Sequence, residues 1–162
     1  MKLSLIITIL CLSLGLQAQE TTDTYKQAIG LVKKSSAFKQ TGATAIATGS
    51  KTISFTNQAY AFWLDGLDTR FNDKDFENFF GDLYQPKEIE SFKKAGDKRR
   101  SKYQLYVSET DTDLFVIEML SRKRKRKAKY PKFYQGQSIS FLFEKTSNGG
   151  VRLIETLTLQ NN

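Results

Sequence analysis

Residues 103–119 read Tyr103-Gln-Leu-Tyr-Val-Ser-Glu-Thr-Asp-Thr-Asp-Leu-Phe-Val-Ile-Glu-Met119. Tyr103, Leu105 and Val107 alternate with polar or amphipathic neighbours, and Phe115, Ile117 and Met119 repeat the pattern. A period of two is the mark of a strand with one face on a core. Thr110-Asp-Thr-Asp113 between the runs carries short oxygen-bearing side chains that bond their own backbone, which is turn chemistry. The alternation continues at Ile139, Phe141 and Phe143, then at Val151, Leu153, Leu157 and Leu159, with Asn148-Gly-Gly150 as a second turn. These segments predict an antiparallel sheet of four or more strands.

Working outward, the N-terminal half reads as helices. Thr24-x-x-Gln27 has the form of a capping box, opening a helix whose Tyr25, Ala28, Ile29, Leu31 and Val32 favour one side and which fades near Ser35 to Phe38. Asn72 or Asp73 caps a segment with Phe76, Phe79, Phe80 and Leu83 at i, i+3, i+4 and i+7. A further helix is expected from Pro86, with Ile89, Phe92 and Ala95 inward and a stop at Gly96. Thr44–Thr48 and Lys51–Leu64 suggest a hairpin around Gly49-Ser50, leading into the apolar piece Ala59–Leu64. Helices from one half laid on an antiparallel sheet from the other make an α+β fold.

Lys2 followed by an apolar run from Leu3 to Leu16, ending in Leu16-Gln-Ala18, has the form of a secretory signal peptide cleaved after Ala18. The run falls short of the roughly 20 apolar residues that span a bilayer. The expected organisation is a signal peptide at 1–18 and one α+β domain at 19–162, exported to the periplasm or beyond, with no membrane span after cleavage. Cys11 follows Leu10, where lipid attachment wants a small residue, so it reads as apolar filler. Cleavage leaves 144 of the 162 residues, with neither cysteine nor histidine among them. That composition excludes disulfides, Ser-His-Asp and Cys-His triads and the usual zinc sites. Catalysis would have to rest on carboxylates, Lys, Tyr or an oxygen-ligated metal; no motif implies a cofactor, and the balance favours a non-enzymatic domain.

The chain resembles small uncharacterised exported proteins of Bacteroidota in its Leu-Gln-Ala-Gln cleavage region, Tyr25-Lys-Gln-Ala-Ile29, Ala61-Phe-Trp63 and Ser101-Lys-Tyr-Gln-Leu-Tyr106. That resemblance implies export and brings no activity with it. The order of elements is similar to the cone-shaped cystatin-like and nuclear-transport-factor-2-like folds, an analogy that implies a curved sheet and carries no residue motif.

The formal charge of +8 is concentrated in one place. Arg122, Lys123, Arg124, Lys125, Arg126, Lys127, Lys129 and Lys132 put eight positive charges into eleven residues, and no acid lies between Glu118 and Glu144. Without Lys2 the mature net is +7, so the rest of the mature chain sums to −1. The segment 121–136 has no apolar alternation in its first half, and Pro131 interrupts ladder pairing. It is expected to project as a basic hairpin arm that binds a polyanion: an anionic envelope component, an acidic glycan or an acidic protein. Arg99 and Arg100, within a smaller basic cluster at 93–102, would assist. Tyr130, Phe133 and Tyr134 supply aromatic contacts that could stack on sugars or bases. The bland reading is a solvated tip whose aromatics return to the core. A nuclear-localisation reading of the run conflicts with the export signal.

Asp65, Asp68, Asp73, Asp75, Glu77 and Asp82 crowd one stretch, but Asn78 and Tyr84 stand where a calcium loop needs Gly and Glu. Compensation of a helix N-terminus explains Asp73, Asp75 and Glu77 better. Trp63 could line a pocket, or simply fill the core. Two alternatives to polyanion docking stand beside it: a small-molecule-binding or carboxylate-based hydrolytic domain with a pocket between helix and sheet, and a structural or inhibitory protein acting through a β-edge.

Overall fold

The computed structural model describes residues 24–49, 88–97, 101–109, 112–122 and 136–161. In chain order these form α1 (residues 24–34), α2 (Ser36–Gln40), β1 (Ile46–Thr48), α3 (Glu90–Ala95), β2 (Tyr103–Glu109), β3 (Leu114–Ser121), β4 (Gly136–Lys145) and β5 (Val151–Asn161). The strands make one open sheet in the order β1-β2-β3-β4-β5. The fold is α+β.

The period-two residues meet where expected. Leu105 lies opposite Met119, and Val107 opposite Ile117. Ile117 in turn faces Phe141, and Phe115 faces Phe143. These side chains form one core with Tyr25, Ala28, Ile29 and Val32 of α1, Phe38 of α2 and Phe92 of α3. Tyr25 sits edge-on to both Phe92 (ring centroids 5.3 Å apart) and Phe115 (6.0 Å), and Phe115 stacks on Phe143 at 5.2 Å. Burying each such ring contributes roughly 1.5–3 kcal/mol, so this cluster is what holds helices to sheet without a disulfide.

Ser35 decides how α1 ends. Its backbone is extended (φ −63°, ψ 150°), its hydroxyl donates to the Val32 carbonyl at 2.7 Å, and it accepts from the Phe38 amide at 3.1 Å. One side chain thus closes α1 and caps α2, satisfying groups that helix termini leave open. Thr24 is itself helical and buried, so it does not stand before the helix as a capping-box residue.

Three expectations need correction. The sheet is mixed, because β1 runs parallel to β2, with Ile46 opposite Tyr103 and Thr48 opposite Leu105. A parallel neighbour needs a long crossover, which the stretch from Gly49 to Lys102, containing α3, supplies. The second half of the expected hairpin, residues 51–64, lies outside the described residues. α3 begins at Glu90, not Pro86, because Ile89 is extended (φ −124°, ψ 87°). Lastly, Leu157 and Leu159 do not share the helix-side face with Val151 and Leu153. A register shift at Leu142/Phe143 leaves Ile154 without a cross-strand position and turns Leu157 and Leu159 to the opposite face, across from Ser140 and Ser138. A β-bulge has this effect, since one extra residue reverses the alternation beyond it.

That opposite face is also buried. Tyr106, Leu114, Val116, Leu120 and Leu142 on it are all at most 6% exposed. β2, β3 and β4 are therefore covered on both sides, and strands so placed carry near-continuous apolar runs.

Candidate functional site

The geometry that bears on the basic stretches lies at one end of the sheet. Tyr103, the first residue of β2, is the cross-strand partner of Ser121, the last of β3. One position further, the Arg122 amide donates to the Lys102 carbonyl at 2.7 Å, and both residues are exposed. β4 opens at Gly136, paired with Asn161 and held at φ 127°, a conformation glycine adopts without the Cβ penalty. The chain between Arg122 and Gly136 thus leaves and re-enters between adjacent antiparallel strands, at the end where residues 98–102 feed into β2.

Asp97 is the only acid between Lys93 and Lys102, and it is already engaged. Its carboxylate pairs with Lys33 at 2.7 Å and accepts from the Ile46 amide at 2.9 Å, while its own amide donates to the Ile46 carbonyl at 2.9 Å. Ser101 completes the junction, donating its hydroxyl to the Ala45 carbonyl and accepting from the Tyr103 amide at 3.0 Å. A three-residue strand has little cohesion of its own, so Asp97 and Ser101 are what fix β1 against β2. Gly96 allows the close approach: a Cβ there would lie 2.4 Å from Thr48 Oγ1.

Of the residues singled out from sequence, Arg122 sits at the exposed end of β3 beside Lys102. Lys123–Lys127, Lys129, Lys132, Tyr130, Phe133, Tyr134, Arg99, Arg100 and Trp63 lie outside the described residues, as do the signal segment 1–18 and the acidic stretch from Asp65 to Asp82. Asp113 is exposed, its carbonyl accepting from the Lys145 amide at 2.8 Å, in keeping with a turn residue.

Sequence reading missed a polar row on the second face of the sheet. Tyr106, Glu118 and Ser140 are direct cross-strand partners over β2, β3 and β4. Gln104 and Ser138 flank Leu120 one step away on the same face. All five polar residues are 6% exposed or less, Glu118 only 1%. Burial first, then the Glu118 carboxylate, push the Tyr106 hydroxyl from 10.0 up to about 12, while Arg122 pulls the other way. The signal was available: Glu118 interrupts the run Leu114-Phe-Val-Ile-Glu-Met-Leu120, whose apolar residues fall on both faces.

No protein-family model matches the chain, and no curated protein or solved structure proves similar to it. Among the described residues no helix is long and apolar enough to cross a membrane.

Proposed function

We propose that the chain is an exported, non-enzymatic binding domain that docks on an anionic partner through the basic arm at 121–136. The observation that supports this reading is the Arg122–Lys102 backbone bond, which sets the first cation of the longer basic stretch beside the last of the shorter one. Repulsion among adjacent cations disfavours a closed arm until an anion neutralises them. The nearby acid that might have done so, Asp97, is engaged with Lys33 and β1. Near an anionic surface each Lys or Arg contributes about 1 kcal/mol, so a few engaged side chains suffice for attachment. Arg99, Arg100, Tyr130, Phe133 and Tyr134 belong to the same reading as flanking contacts. The curved, cone-like form of the sheet belongs to it too, favoured by the bulge at Leu142/Phe143, which bends and twists a strand.

Sedimentation with lipid vesicles tests envelope docking. The chain without residues 1–18 should pellet with vesicles rich in anionic lipid and stay in solution with zwitterionic ones. Equal partition to both would oppose an anionic partner of this kind.

A further inference from the structure

We propose that the outer edge of β5 pairs with the same edge of a second copy of this chain, in an antiparallel register centred on Thr158. This goes beyond docking through the basic arm and does not rest on it. β5 ends the sheet on one side, and among the described residues β4 is its only strand partner. It is 11 residues long, where strands usually run to about five or six. An open edge of that length presents a row of backbone N–H and C=O groups to any strand that reaches it, and proteins that keep such edges unpaired place lysine, proline or a bulge along them. Here the bulge falls at Ile154, and from Thr156 to Asn161 the strand carries neither charge nor proline.

The order of side chains selects the occupant. Thr156-Leu-Thr-Leu-Gln160 reads polar, Leu, Thr, Leu, polar in either direction. A two-fold interface needs a surface complementary to itself, with residue i meeting j and j meeting i. Antiparallel pairing about Thr158 meets that need: Leu157 of each copy lies opposite Leu159 of the other, Thr156 opposite Gln160, and Thr158 opposite its own counterpart. A foreign strand would need only an extended backbone; side chains that match themselves are what a second copy adds.

Both faces of the pair agree with this register. Residues directly opposite share a face, so the leucines of the two copies gather on the side of Ser138 and Ser140. Leu157 and Leu159 are partly exposed, and pairing gives them apolar cover. Thr156 and Thr158 lie opposite Phe141 and Ile139 on the helix side, yet both are exposed, so nothing covers that side of β5 there. Opposed threonines are a favourable cross-strand pair, and an uncharged centre keeps like charges from meeting at the axis of two basic chains. The contact is small, which places the dimer in the weak, concentration-dependent class.

The test is sedimentation velocity of the chain without residues 1–18 over a wide range of concentration, where the mass should rise from one copy towards two. Thr158→Lys and Thr158→Glu each set like charges opposite one another at the axis. Each should weaken association at least tenfold, and because the site is exposed each should keep the parent's urea midpoint. Mixing the two variants should restore association, opposite charges then facing each other. A parent that stays monomeric throughout overturns the second copy as occupant, and a foreign strand then becomes the candidate for the edge. Association that survives both substitutions, or that mixing fails to restore, overturns the register. Should either variant fail to fold, amide exchange in the parent decides: exchange along residues 155–161 should slow as concentration rises, and a rate independent of concentration overturns the pairing.

Discussion

The backbone amide of Arg122 donates to the carbonyl of Lys102 at 2.7 Å, one position beyond the last paired residues of β2 and β3. Two cations twenty residues apart in sequence, each the end of a basic stretch, thereby stand side by side at one edge of the ladder. The bond is main chain to main chain, so the side chains of both residues remain available for a partner, and both are exposed. Charge at this end can therefore be removed without touching what holds it in place.

Asp97 holds β1 at the same end of the sheet. Asp97→Ala removes the acceptor for the Ile46 amide and the partner of Lys33, and should cost about 1–3 kcal/mol in urea denaturation. Asp97→Asn keeps an oxygen for the amide and loses the partly exposed ion pair with Lys33, so its cost should stay below about 1 kcal/mol. Equal losses from the two variants would show that the ion pair, and not the hydrogen bond to β1, does the holding.

Gly96 and Thr48 should behave as a pair. Gly96→Ala places a methyl 2.4 Å from Thr48 Oγ1 and 2.8 Å from its Cγ2, an overlap that should destabilise by about 1–3 kcal/mol. Thr48→Ala removes both atoms, and also the hydroxyl that donates to the Lys93 carbonyl. The double variant should therefore be less destabilised than the two single costs added together. Strict additivity in a double-mutant cycle would remove the contact from the explanation.

Alkaline stability should report on Tyr106. Folded, its hydroxyl keeps the proton up to about 12; unfolded, it ionises near 10.0. The unfolded chain releases the proton first, so the contribution of this group is whole below pH 10 and lost as pH rises towards 12. Tyr106→Phe has nothing to ionise. Urea midpoints of the parent should fall relative to the variant across that window, and a constant gap between them would contradict the burial of the hydroxyl beside Glu118.

Period two made β2, β3 and β4 legible, because Leu105, Ile117 and Phe141 have to meet on one face for any core to exist. Tyr25, Val32 and Phe92 were equally visible as the inward positions of helices. β5 was read only in part: Val151 and Leu153 follow the pattern, but the bulge that turns Leu157 and Leu159 over leaves no mark in the alternation of side chains. The strand at β1 was legible within Thr44–Thr48, but its parallel direction was not, because three residues carry no orientation. Asp97, which holds its end, is distant in sequence and identifiable only once it bonds Ile46. Glu118 and Gln104 were passed over because a polar residue in an alternating strand is taken to face water. The apolar Leu114, Val116 and Leu120 on the same face show that it does not. The charge of residues 122–132 was plain from composition, whereas the bond between Arg122 and Lys102 depends on register.

Affinity for heparin, measured at rising salt for the chain without residues 1–18 and for a variant with Arg122–Lys127 replaced by Ser and Gln, tests arm docking most directly. The parent should bind, with log affinity falling steeply as log salt rises, since each cation engaged releases counterions. The variant should unfold at the same urea midpoint, bind about a hundredfold more weakly or worse, and show a flatter salt dependence. Binding that is equal in the two proteins, or indifferent to salt, would contradict docking through the arm.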